Sequence, residues 1–164
     1  MNDVLARPTA STQALMLPAC LVFSMAAATS GAFWPPDAWY FEIERPSWTP
    51  PGWLFGPVWT TLYVLIGVSL WRVWRTGGLQ RDRTALVLFL AQWTLNLAWT
   101  AIFFGLHAPG LALVEIVLLA ALILATIVRF HRHDRLAAWL LTPYLAWVCF
   151  ATVLNAAFWW LNRA

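Results

Sequence analysis

Residues 39–63 read WYFEIERPSWTPPGWLFGPVWTTLY, and the other segments of the chain fall into place around this stretch. It gathers Trp39, Trp48, Trp53 and Trp59 with Tyr40, Tyr63, Phe41 and Phe55, and stiffens them with Pro46, Pro50, Pro51 and Pro57. Its first part is not expected to be helical, because Pro50 and Pro51 break a helix and push the residue before each toward extended backbone. Long apolar runs flank it on both sides. An indole joins a large flat apolar face to one N–H donor, so several on a stiff loop suit a lid over a flat, mostly apolar ligand. A plainer reading is an interfacial belt, since Trp and Tyr gather at the headgroup level of membrane proteins. Aromatic density alone leaves both open.

The 164 residues are 62% hydrophobic and 10% charged, with a mean hydropathy of +0.68. A soluble domain carries about 25% charged residues; this chain has too few to cover a water-facing surface and reads as an all-α integral membrane protein. All ten basic residues are Arg, and the net charge of +3 is a topology signal before it is a partner signal; no nucleic-acid partner is expected. Cys20 and Cys149 fall inside apolar runs with no metal-ligand or disulfide pattern around them, and read as small packing residues.

Five apolar segments, residues 12–33, 52–75, 84–104, 110–130 and 134–162, each approach the ~20 residues that a bilayer requires. They make one five-helix transmembrane domain over 1–164, with a long aromatic, proline-rich loop between the first two helices. The polar tail before residue 12 is expected to fray. In the first segment Pro18 falls near the start, and Ser24/Ala28 and Ala27/Gly31 have the small-xxx-small spacing that permits close helix packing. Arg7, the apolar run and Ala26–Ala28 also resemble a signal peptide; Asp3 in the would-be positive region and the length of the run put that reading second. Gly77 and Gly78 mark a helix stop, and Pro143 predicts a kink in the last helix. Eight arginines (Arg7, Arg72, Arg75, Arg81, Arg83, Arg129, Arg132 and Arg135) fall on one side, and only Arg45 and Arg163 on the other. The positive-inside rule then places the N-terminus inside and the C-terminus outside.

Trp59 and Tyr63 are one turn apart, with Gly67 and Trp71 on the same line. Gln92, Asn96, Trp99 and Phe103 share one stripe, as do Tyr144, Trp147, Ala151, Asn155 and Phe158. Amides at membrane depth must meet protein, water or ligand. Hydrogen bonds between helices satisfy that need without a ligand, and the aromatic neighbours make a cavity lining comparably supported. Glu115 is the one carboxylate deep in a span; a protonated, hydrogen-bonded structural role is favoured over a functional one, because its neighbours are apolar. His131 and His133 form an HxH with no third ligand and read as a solvated basic patch. His107 sits in a turn without a specific signal. No phosphate loop, catalytic triad or carboxylate pair is visible.

The runs WY…RPSWTPPGWLFGPVWTTLYVLIG, QWTLNLAWTAIFFG, PGLALVEIVLL and PYLAWVCFATVLNAAFWWLN resemble the tryptophan-rich sensory protein / translocator protein family, also called peripheral benzodiazepine receptors. The resemblance covers nearly the whole chain. It implies a five-helix bundle, usually homodimeric, with a pocket under the first loop that takes protoporphyrin, haem or other tetrapyrroles as ligand, and isoquinoline- and benzodiazepine-type drugs. Carried over by motif, the ligand-binding positions are Trp39, Trp48, Trp53, Trp59, Tyr63, Asn96, Trp99, Trp147, Phe150, Ala151 and Asn155. Cholesterol is doubtful, because no Lys or Arg follows Tyr144 until Arg163. No cofactor is required. The resemblance also leaves open a light- and oxygen-dependent porphyrin-degrading enzyme and a regulator acting through partner proteins. A bacterial inner membrane is favoured, with an outer membrane as the alternative.

Overall fold

The computed structural model describes residues 9–163; the described residues hold helices and no strand. Arg7 and Asp3, used in the topology and signal-peptide readings, lie outside the described residues. In chain order the helices are α1 (Ala10–Phe33), α2 (Ala38–Glu42), α3 (Gly52–Arg75), α4 (Gly78–Arg81), α5 (Arg83–Gly105), α6 (Pro109–His131) and α7 (Arg135–Leu161). All but α2 and α4 are long and apolar enough to cross a membrane. Hydrocarbon offers no partner to a backbone amide, so each crossing segment closes its own hydrogen bonds as a helix. The outer surface agrees: Leu15, Val87, Val114 and Val153 are 60–73% exposed, which suits lipid rather than water.

Inside, Leu62, Ile66, Phe89, Leu119, Ile123 and Tyr144 form one buried core. α1 runs along α3, α5 along α6, and α6 along α7. α1 and α3 approach closely at Gly67, where a Cβ would stand 3.0 Å from the Leu21 Cα. The small-xxx-small pairs of α1 behave otherwise than expected. Ser24 and Ala27 are buried, but Ala28 is exposed and a Cβ on Gly31 would meet nothing within 4 Å. Close packing thus falls on the partner helix's glycine. Pro18 is also not near a helix start. Thr9 caps α1, its hydroxyl accepting from the Thr12 amide at 3.3 Å, which places Pro18 in the helix interior.

Three further differences have local causes. The loop contains α2, because Asp37 caps it by accepting from the Tyr40 amide, and Pro46, Pro50 and Pro51 act only downstream of it. His133 is not solvated: its Nε2 meets Asp82 at 3.0 Å and its ring packs on Gly78. Cys149 faces outward, exposed, whereas Cys20 is buried. Gly77 ends α3 in the left-handed region at φ 73°, and α7 is interrupted at Leu141, ahead of Pro143.

Two carboxylates tie the arginine-rich end together. Asp82 caps α5 through the Ala85 amide and accepts two hydrogen bonds from Arg129, at 3.1 and 2.8 Å. Asp134 caps α7 through the Ala137 amide and pairs with Arg72 at 2.8 Å. The Arg129 hydrogen bond, aided by His133 and the Ala85 amide, holds the Asp82 carboxyl well below the usual carboxylate range. Partial burial would raise that of Asp134, but the Arg72 and Ala137 hydrogen bonds outweigh it and the net direction is down. Both groups therefore contribute stability above the ordinary carboxylate pKa of about 4, and lose it as pH falls toward their folded values.

Two predictions follow from these contacts. Gly67→Leu should destabilise the protein by about 1–3 kcal/mol through overpacking, read as a lower melting temperature in detergent, whereas Gly31→Leu should melt close to wild type. Acidification from pH 5 to pH 3 should lower the melting temperature of the wild type more than that of an Asp82→Asn/Asp134→Asn variant.

Candidate functional site

The halves of the helices away from the arginine-rich end surround a cavity of about 510 Å³. This lies within the ~300–1,000 Å³ of small-molecule sites. Its walls come from every long helix and from the loop. α3 supplies Phe55, Trp59 and Tyr63; α5 supplies Asn96, Trp99, Phe103 and Phe104; α7 supplies Trp147, Ala151, Asn155 and Phe158. Leu119 of α6 closes the floor, and Met25, Ala28 and Gly31 of α1 form one edge.

Two hydrogen-bonded staples set the shape. The Tyr63 hydroxyl donates to Asn96 Oδ1 at 2.9 Å, joining α3 to α5. The Trp99 indole donates to Asn155 Oδ1 at 3.0 Å, and Asn155 Nδ2 donates to the Pro109 carbonyl at 2.7 Å, joining α5, α7 and α6. Asn96 Nδ2 stands beside the Tyr144 hydroxyl without closing a well-formed hydrogen bond to it. Around these amides the rings interlock: Trp59 stacks on Tyr63 with centroids 5.3 Å apart, and Trp99 stacks on Phe103 at 5.0 Å. At Ala101–Gly105 α5 widens into a π turn, with the Leu106 amide donating to the Ala101 carbonyl. The widened turn lets both Phe103 and Phe104 reach the cavity. Single-turn π segments recur at functional sites.

The loop roofs this space. Tyr40 packs edge-on against Phe103 and Phe104. Trp39 stacks on His107 at 4.4 Å, and His107 Nε2 meets Asp37 at 3.0 Å. At the other end of the loop, Asn162 clasps the Glu44 backbone by two hydrogen bonds of 3.0 Å. Arg45 is exposed, lies over the Tyr40 and Phe41 rings and donates to the Phe41 carbonyl.

Of the positions carried over by motif, Trp59, Tyr63, Asn96, Trp99, Trp147, Ala151 and Asn155 meet at the cavity. The other four stand outside its lining. Trp39 is part of the roof. Trp48, half exposed, lies edge-on to Phe150 in a separate shallow groove against Trp160. Trp53 is 73% exposed, and Phe150 packs on Trp147 from behind. Lining residues that were not singled out for the site include Phe55, Phe104 and Leu154. Phe103 and Phe158 already stood on the aromatic stripes. Phe104 was hidden by the π turn, which regular helical spacing does not anticipate. His107, without a signal in the sequence, anchors the roof from a backbone at φ 51°.

The remaining intramembrane polar groups differ from expectation. Glu115 is 8% exposed and neither of its oxygens has a hydrogen-bond partner among the described residues. The hydrogen-bonded role expected for it is therefore not met. Tyr144, fully buried, lies beside Asn96 and Glu115 without closing a bond through its hydroxyl. Gln92 Oε1 is likewise unpartnered, and Gln92 does not line the cavity. Among the described residues there is no cluster of three metal-ligating side chains.

Fold and site together define a multi-pass membrane protein with an aromatic cavity in one half of the bundle. The TspO/MBR family profile matches residues 11–161. The chain is 44% identical over 154 residues to the tryptophan-rich protein TspO of Chlorobaculum tepidum, covering 92% of this chain and 96% of that one. It is 43% identical over 123 residues to the human translocator protein, covering 74% and 73% of the two chains. To the tryptophan-rich sensory protein of Cereibacter sphaeroides it is 38% identical over 130 residues, covering 79% and 80%. The chain belongs to the TspO/MBR family.

Asn155→Leu should leave the half-buried Trp99 indole N–H without its acceptor and remove the side-chain hydrogen bond to the Pro109 carbonyl. The expected cost is about 1–3 kcal/mol, measured by thermal unfolding in detergent; Trp99→Phe in the same background should recover part of it.

Proposed function

We propose that the cavity is a receptor site for a tetrapyrrole such as protoporphyrin or haem, held for transport or for sensing. The supporting observation is the convergence of Trp59, Trp99 and Trp147 with the Asn96 amide on one cavity. A porphyrin is a flat, largely apolar disc with polar edge groups. Indole faces supply stacking of about 0.5–1.5 kcal/mol per aromatic pair beyond area burial. Asn96 Nδ2 is the amide donor left to orient the edge of the disc. The Trp99 indole N–H is already committed to Asn155 and holds shape instead. Isoquinoline- and benzodiazepine-type drugs, smaller and equally flat, would compete for the same walls, and a homodimer is compatible with the apolar outer surface. Seven of the described arginines (Arg72, Arg75, Arg81, Arg83, Arg129, Arg132 and Arg135) lie at the end opposite the cavity. With that end cytoplasmic, the roof faces outward, as in a bacterial inner membrane.

Titration with protoporphyrin in darkness should quench tryptophan emission in the micromolar range. Trp59→Leu or Trp147→Leu should weaken binding by about three- to tenfold, from the stacking lost. Trp48→Leu, outside the cavity, should leave the dissociation constant unchanged. Absence of quenching by the wild type in lipid would refute the proposal.

A further inference from the structure

α1 changes neighbours partway along its length. Below its 3-10 turn at Ala26–Ala28 it lies along α3, with Leu21 against Gly67 and the Ser24 hydroxyl donating to the Tyr63 carbonyl at 2.8 Å. Above that turn it leans on α5 instead. There the Ser30 hydroxyl donates to Thr100 at 3.2 Å, and the Trp34 ring lies on Gly105, where a Cβ would come within 2.6 Å. The upper parts of α1 and α3 are thus parted.

The edges of this gap are Met25, Ala28 and Gly31 on α1, and Gly52, Gly56 and Thr60 on α3. All six line the cavity and all six are exposed. A Cβ at Gly31, Gly52 or Gly56 would meet nothing within 4 Å. The gap lies within the membrane-crossing lengths of both helices, and elsewhere on α1 Val22 and Phe33 are 70% and 75% exposed. Those are lipid-facing side chains. The water-facing side, by contrast, is shut by the Asp37–His107 pair, the Trp39–His107 stack and the Glu44–Asn162 clasp.

We infer that the cavity exchanges its guest sideways with the bilayer, through the gap between α1 and α3, and not through the roof with water. This rests on the receptor reading above and narrows it to guests that are dissolved in the membrane. The path for a flat molecule is an edge-on slot between two helices, bordered by glycines where side chains would obstruct it. Roof opening is not needed, and the roof contacts then serve to keep water out.

The test uses the full chain and protoporphyrin in the same phosphatidylcholine vesicles, so that transfer from water plays no part. After a small temperature jump, tryptophan quenching relaxes at the rate of exchange between cavity and bilayer. A Gly31→Leu/Gly56→Leu variant should relax about tenfold more slowly or beyond, a barrier increase of at least ~1.4 kcal/mol. Each single variant should fall between it and wild type, which keeps the test available if the double variant folds poorly. His107→Ala, which loosens the roof, should relax within about twofold of wild type. Unchanged relaxation in the folded glycine variants, or acceleration confined to His107→Ala, overturns the inference. A wild type that shows no quenching at equilibrium instead removes the receptor reading itself.

Discussion

A hydrogen-bonding side chain inside hydrocarbon is stabilised by a partner within the protein, and two such matches organise this molecule. Tyr63 with Asn96, and Trp99 with Asn155 and the Pro109 carbonyl, connect α3, α5, α6 and α7 across the space that a close-packed bundle would fill. Lipid gives no alternative partner, so these bonds resist replacement even though each contributes only about 0.6 kcal/mol on average in comparable proteins. Aromatic rings then line what the bonds hold apart. The cavity is the consequence of a few amides fixing the distance between helices too stiff to collapse around them.

The two irregularities in the long helices act on the same space. The 3-10 turn in α1 lets one helix pack on α3 below and on α5 above. The π turn in α5 rotates the last residues of that helix, so that Phe103 and Phe104 share the cavity wall. Below the cavity the bundle is sealed by aliphatic packing and by the Asp82 and Asp134 ion pairs at its arginine-rich end. Rigidity at one end and open space at the other follow from where the sequence puts aliphatic side chains and where it puts rings.

Much of this was legible beforehand. Hydropathy marked the five spans, because a bilayer selects length and apolarity directly. The Gln92–Asn96–Trp99–Phe103 and Tyr144–Trp147–Ala151–Asn155–Phe158 stripes pointed to the faces that meet, and all but Gln92 and Tyr144 line the cavity. What periodicity could not show was anything that departs from 3.6 residues per turn or depends on a distant partner. Phe104 enters the wall through a π turn. His107 matters only because Asp37 and Trp39 come to it. His133 looked solvated until Asp82 was placed beside it, and Glu115 lacks the hydrogen-bond partner expected for it. Within the loop, indole density did not separate Trp39 in the roof from the outward Trp48, since a loop has no period to read.

The claim at the centre is that a guest enters the space bounded by Asn96 and the indoles. The chain has only four asparagines, Asn2, Asn96, Asn155 and Asn162, so their side-chain amide resonances can be followed individually by solid-state NMR of ¹⁵N-asparagine-labelled protein in lipid. Addition of protoporphyrin in the dark should move the Asn96 amide strongly and the Asn155 amide, already bonded to Pro109, far less. An Asn96 resonance that stays in place at saturating protoporphyrin would contradict the account.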